Sequence, residues 1–438
     1  MIPKNVSVVD NNPAIAACFV FESEGRYKRT MRDLGWMGVD WEQRIDFDRL
    51  RRGRLERAKA ALAETDVDAL FIFRAEDARY LTGHRSHLGP VAELSFGNVV
   101  LHRRGDFVLY TMDLDTCRPS MPWLEERQIQ GRANVRDHVG TVAWAESVKA
   151  EFDLGTDCKI GIDLWTPRIE TSLKTVFPSA EFVDGYEILL KAKIIKTEEE
   201  LACIRAAAVL TEVGFHAALD ALTPGVKECE VLAAAWGAMT ALGSEWTQCS
   251  NIVASGPYTA PYRRFTSDRI IREGDVVIID IGGCYNGYWG DFTRTYICGN
   301  VWPTREQVEL HQQCYNALFN ACATARVGKT NYDVYLAAQP CVRHNLGHGA
   351  GLSPWEPPYF SISSKDERVP LQQNMVLNFE PYAGKPGIGG FRLENNVIVT
   401  DGEPEIFTIF PFDERLLTDV HPLDKTTGRR LQSYAPRV

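Results

Sequence analysis

The chain has no long apolar run. Its apolar stretches, such as 276–279, are far shorter than the roughly 20 residues a membrane-spanning helix needs, so no membrane partner is expected. The opening MIPKNVSVVDNN lacks a charged segment followed by an apolar stretch, so no secretory leader is expected. No cysteines are spaced as Cys-x-x-Cys, although there are eleven of them in 438 residues. A dispersed, odd set reads as reduced thiols in a cytoplasmic protein, not a disulfide framework or a cysteine-built zinc site. A basic excess is missing too. The formal net charge of -10 argues against nucleic acid as a partner, because phosphate binding wants a basic face. There is no short tandem repeat and no low-complexity tract. What remains is an ordinary globular composition, 45% apolar and 24% charged, and enough length for two or three domains.

Three regions are expected. Residues 1–45 mix aromatics and charges without a period and read as an N-terminal extension that packs on the body or on a partner subunit. Residues 46–190 alternate helix and strand. FDRLRRGRLERAKAALAET places Leu55, Ala58, Ala61 and Leu62 at helical spacing. DALFIF reads as a buried strand, and EDARYLT as a short helix closed by Gly83. FGNVVL and FVLYTMDL follow as strands joined through Gly105, then WAESVKAEF, KIGIDLW and IETSLKTVF as helix, strand and helix. This pattern predicts an α/β domain with a central sheet. Residues 191–438 begin with a long helix for which Thr197 and Glu200 form a capping box. Helices and two strand hairpins follow, which predicts an α+β domain with helices covering an antiparallel sheet.

The hairpins carry the chemistry. VVIIDI at 276–281 is an apolar strand, Asn286-Gly287 a tight-turn signal, and 288–296 the return strand. A turn centred there puts Asp280 opposite Thr293 with Asp291 as its diagonal neighbour, so both carboxylates share one face. A bulge at the local glycines would alter this. In the second hairpin, 375–380 and 391–400 flank PYAGKPGIGG. Centring it near Gly387 sets Glu380 opposite Glu394, with Cβ atoms about 5 Å apart. Like charges in direct opposition are destabilising unless a cation lies between them. Between the hairpins runs Arg343-His344-Asn345-Leu346-Gly347-His348-Gly349, two of only nine histidines, set among glycines that permit close backbone approach. Four carboxylates and one imidazole suit divalent Mn, Fe, Co or Zn. That much negative charge calls for two ions.

With IDIGG, GDFTRT, HNLGHGAG, LNFEPY and GGFRLEN in this order, the chain resembles the M24 metallopeptidase family, the pita-bread fold, over about residues 190–412. The preceding α/β region resembles its creatinase-type N-terminal domain. The resemblance implies that Asp291 and Glu394 bridge two ions, that Asp280 completes one shell, and that His348 and Glu380 complete the other. It implies a water acidified by the ions as nucleophile, Glu380 as proton acceptor, His344 as an acid/base or outer group, and Arg392 orienting Glu394. It also implies a homodimer in which one N-terminal domain closes the partner's site, with His84, Arg85 and His87 as candidates.

The chain departs from the family pattern at two positions. The proline-specific peptidases of this family carry histidines where Tyr262 and Trp355 stand here. Tyr262, Trp355 and Arg392 are the candidate substrate-binding residues, and tyrosine still donates a hydrogen bond to an oxyanion. Tryptophan offers an aromatic face for an apolar or cationic group. The expected function is a metallohydrolase acting on an amide or peptide bond of a small molecule or short peptide, most concretely an Xaa-Pro dipeptidase or aminopeptidase. The alternative is a lyase of the same fold, of the dimethylsulfoniopropionate type.

Overall fold

The computed structural model describes residues 20–21, 27–28, 45–85, 97–112, 114–131, 135–246, 251–262, 264–342 and 345–417. The chain divides into two compact units, Met1–Leu50 and Arg51–Val438. In the first, Val20–Phe21 and Tyr27–Lys28 form a short antiparallel ladder. The rest of the expected N-terminal extension lies outside the described residues, as does His87.

The second unit opens with a six-stranded mixed sheet. Its spatial order is Ile129–Gly131, Phe107–Thr111, Gly97–His102, Ala69–Ile72, Lys159–Ile162 and Glu181–Asp184. The middle strands are short runs of apolar residues because they are covered on both faces: all of Ala69–Ile72 and Phe107–Thr111 is buried. Trp144, on the helix His138–Phe152, packs edge-on against Phe71 and Phe73 at ring separations of 5.4 and 5.2 Å. The helices start where the sequence supplies an oxygen for their first free N–H groups. Asp137 Oδ1 accepts from Gly140 N at 2.7 Å, and Thr166 Oγ1 from Ile169 N at 3.2 Å. The helix Ala75–Thr82 stops at Gly83, whose φ of 76° is cheap only for glycine.

The helix Gly185–Lys193 runs through residue 190. Beyond it, among the described residues, the chain enters four helices and two main antiparallel sheets. The three-stranded sheet sets Val276–Ile281 between Ile252–Ser255 and Phe292–Ile297. The five-stranded sheet runs Glu356–Phe360, Gly347–Gly349, Val376–Phe379, Asn395–Ile398, Glu405–Ile406. Glu198–Ala221 and Glu228–Ala241 cover the first sheet through Phe215, Val231, Ala235 and Met239. Arg305–Thr324 and Asn331–Ala337 cover the second through Cys314, Leu318, Ala321 and Val334. The sheets meet at the hairpins: Glu394 N donates to Thr293 O at 2.9 Å, and Arg392 N to Thr295 Oγ1 at 3.1 Å.

Glu198–Ala221 is long and apolar enough to cross a membrane by length and composition, although no single uninterrupted apolar run in it is long. Its apolar window is 61% buried inside the protein, so the apolar surface serves the core. Both halves of its capping box are formed: Glu200 N donates to Thr197 Oγ1 at 3.2 Å and Thr197 N to Glu200 Oε2 at 2.8 Å. Thr197→Ala is expected to cost about 1 kcal/mol of stability, read as a lower urea midpoint at unchanged slope.

Candidate metal centre

The first hairpin keeps one register from end to end. Asp280 pairs with Thr293, and past the glycines Cys284 pairs with Trp289 and Tyr285 with Tyr288, with no shift between the two ladders. Asn286 and Gly287, at φ 49° and 82°, make the turn. Both take the left-handed conformation that favours asparagine and glycine in a two-residue hairpin. No bulge intervenes, so Asp280 and Asp291 lie on the same face of the hairpin, both buried.

The second hairpin behaves alike. Phe379 pairs with Asn395 and Tyr382 with Arg392, so the register sets Glu380 opposite Glu394. Gly387 turns at φ 85°. Glu394 is fully buried, whereas the Glu380 side chain keeps 10% exposure.

His348 sits at the centre of Gly347–Gly349, paired with Asn378 on the neighbouring strand. Its flanking glycines are required by space. A Cβ on Gly347 would lie 1.9 Å from Asn378 O, and one on Gly349 would lie 2.5 Å from Pro357 O. Nδ1 of His348 lies 3.0 Å from Gly349 O. A carbonyl only accepts, so this contact places the ring proton on Nδ1 and leaves Nε2 with its lone pair. Burial lowers the His348 pKa to about 4, which keeps the ring neutral at physiological pH.

Ligand atoms of Asp291, His348 and Glu394 all lie within 4.8 Å of one another, and all three residues are buried. His348 Nε2 is 3.9 Å from Asp291 Oδ2. Burial, and then the Asp291 charge, push the Glu394 carboxyl well above the ordinary range. Thr293 Oγ1 donates to Glu394 Oε2 at 3.0 Å. Glu394 Oε1, His348 Nε2 and Asp280 Oδ1 are buried and have no hydrogen-bond partner among the described residues. Buried oxygens and a bare imidazole nitrogen converging in this way are costly to leave unmatched, and they are the donor set a divalent cation takes. The residues fit a metal.

Asp280 and Glu380 are drawn together by Arg392. Its guanidinium bonds Asp280 Oδ2 through Nη1 and Glu380 Oε2 through Nη2. The described bonds of the Arg392 side chain thus run to the carboxylates at positions 280 and 380, while its charge also acts on Glu394. The Tyr262 hydroxyl donates to Asp280 Oδ2 at 2.9 Å. Trp355 is half-exposed and stands edge-on to the His348 ring, with centroids 6.4 Å apart. His344 lies outside the described residues. His84 is not a surface group but buried, and Arg85 Nη2 donates at 2.9 Å to Asn286 Oδ1, on the tip of the first hairpin.

Several supporting residues escaped the sequence reading. Asn378 and Asn396, paired across the second sheet, donate to Asp291 O at 3.4 and 2.5 Å and fix the backbone of that aspartate. Arg294, fully buried, donates to the carbonyls of Thr293, Glu394 and Phe410. Burial pulls its pKa down to about 10, still charged at neutral pH. The available signal was polar residues inside otherwise apolar strands. His348→Ala is expected to weaken metal binding by more than about a hundredfold, beyond the roughly 10–100-fold typical of outer partners. Metal analysis after equilibrium dialysis reads this, and unchanged binding would remove His348 from the centre.

Residues 54–195 match the creatinase/prolidase N-terminal domain, and residues 202–401 match metallopeptidase family M24. The Xaa-Pro dipeptidase of Pyrococcus furiosus is 34% identical over 80% of this chain and 95% of its own length. Among solved structures, an Xaa-Pro dipeptidase from Bacillus anthracis superposes with a TM-score of 0.71 at 25% identity, covering 83% of this chain and 99% of that one. The prolidase from Pyrococcus furiosus gives 0.68 at 26% identity, covering 80% and 98%. These relatives carry the names of peptidases and give the lyase alternative no support. The described geometry and the relatives agree: the chain belongs to metallopeptidase family M24 and is a metal-dependent hydrolase.

Proposed function

We propose that the chain is a dinuclear dipeptidase that cleaves Xaa-Pro peptides. The observation that carries this reading is the buried convergence of Asp291, His348 and Glu394, flanked by Asp280 and Glu380. Asp291 and Glu394 would each serve both ions, Asp280 would complete one site, and His348 with Glu380 the other. When bound, the ions supply Lewis acidity and bring the ionisation of a water near neutral pH. The oxygen-rich set favours manganese among Mn, Fe, Co and Zn.

The protein's own groups then have distinct tasks. Glu380, the carboxylate with access to solvent and paired with the Arg392 guanidinium, takes and returns the proton. Thr293 and Arg294 hold Glu394, and the two asparagines hold Asp291, so the carboxylates need no reorganisation during turnover. Trp355 supplies an apolar wall beside His348 on which a proline ring can rest. His344 serves as a further acid/base group. The names of the relatives support dipeptides ending in proline as the substrate class. We extend the reading to a homodimer, and to a reducing, cytoplasmic setting, the latter supported by the nine described cysteines, all of them free.

Manganese-loaded protein is expected to release proline from Xaa-Pro dipeptides, as followed by amino-acid analysis. No cleavage by the loaded protein would sink the substrate assignment. Trp355→Ala is expected to raise KM for such a dipeptide by about tenfold while leaving metal content alone. An unchanged KM would reduce Trp355 to packing beside the prolines.

A further inference from the structure

Tyr262 stands next to the metal centre, yet its geometry is wrong for a group that binds substrate. A phenol has one proton to donate. Here that proton goes to Asp280 Oδ2 at 2.9 Å, while the oxygen accepts from Arg392 Nη1 at 2.9 Å. Only 3% of the residue is exposed. One face of the ring stacks on Tyr382 at 5.9 Å and 21°, and the Arg392 guanidinium lies 5.2 Å from the ring centroid.

The segment carrying Tyr262 is anchored on the second hairpin. Tyr382 OH donates to Thr259 O at 2.8 Å, and Gly390 N to Thr259 Oγ1 at 3.0 Å. The hydroxyl meanwhile acts on Asp280, which belongs to the first hairpin. Tyr262 therefore ties the two hairpins together at a carboxylate. Of that carboxylate's two oxygens, Oδ2 is engaged by Tyr262 and Arg392, and Oδ1 is buried without a hydrogen-bond partner among the described residues.

We infer that Tyr262 is a positioning residue that orients Asp280 for its metal ion, and that it does not contact substrate. By taking Oδ2, it fixes the carboxylate plane and leaves Oδ1 to coordinate. This inference rests on the metal-site reading above. It makes metal affinity, rather than substrate affinity, the property that Tyr262 controls.

The test compares wild type with Tyr262→Phe, which keeps the ring and removes the donor. Metal-free protein is titrated with Mn²⁺ in a calorimeter and with Co²⁺ by visible absorption, and KM and kcat are measured on an Xaa-Pro dipeptide. The expected result is at least about tenfold weaker binding of one ion, the effect typical of losing an outer partner. It comes with altered cobalt bands and a KM within about twofold of wild type at saturating metal. Tyr262→His retains a donor and is expected to restore part of the affinity. Should Tyr262→Phe not fold, Tyr262→Met removes the donor with a flexible side chain and is expected to weaken binding alike. An unchanged isotherm and spectrum with a raised KM would overturn the inference and make Tyr262 a substrate contact. Wild-type protein that binds no metal would overturn the metal-site reading itself, an outcome distinct from the first.

Discussion

The constraint on which this structure turns is the repulsion between carboxylates held together away from water. Asp291 and Glu394 present oxygens within 4.8 Å of each other and of His348, all buried. At an effective dielectric of about 20, two such charges at that separation repel by about 3 kcal/mol or more. Burial, and then the Asp291 charge, disfavour the ionised form of Glu394. A fold tolerates this only if something positive compensates. Arg392 does so for Asp280 and Glu380. At His348 Nε2 and Glu394 Oε1 no protein group donates a hydrogen bond among the described residues. The compensation there falls to a metal.

Much of the remaining structure keeps those carboxylates from moving apart. Two hairpins with unbroken registers bring the ligands to one face. The backbone bond from Glu394 N to Thr293 O and the bond from Arg392 N to Thr295 Oγ1 join the hairpins. Arg294 lies across that junction and holds the carbonyls on both sides. The asparagines at 378 and 396 hold Asp291 from the second sheet. The α/β region is linked to the same frame. Arg79 forms a two-point ion pair with Glu245 and reaches Asn286 on the tip of the first hairpin. Lys196 bonds Glu356, next to Trp355.

The parts legible in the sequence were those governed by local rules. Asn286-Gly287 fixes a turn, and a turn fixes the pairing of every residue along the two strands, so the Asp280–Thr293 pairing followed from counting. Thr197 and Glu200 announced their helix by spacing alone. What the sequence hid were contacts between distant segments. Nothing near Arg392 says that its guanidinium reaches Asp280 and Glu380. That outcome depends on which way a strand residue faces once two hairpins have docked. The target of the Tyr262 hydroxyl was hidden for the same reason: 18 positions separate it from Asp280, with Arg392 arriving from the second hairpin. His84 is buried although polar, whereas Arg85 stays exposed, because polarity alone is a poor guide to burial.

The central claim is that the buried carboxylates and His348 exist to hold divalent ions. Anomalous diffraction from crystals grown with manganese tests it most directly. The account expects strong manganese peaks in contact with Asp291, His348 and Glu394, with Asp280 and Glu380 turned toward them. A structure with manganese in the medium and no anomalous density among these residues would contradict it.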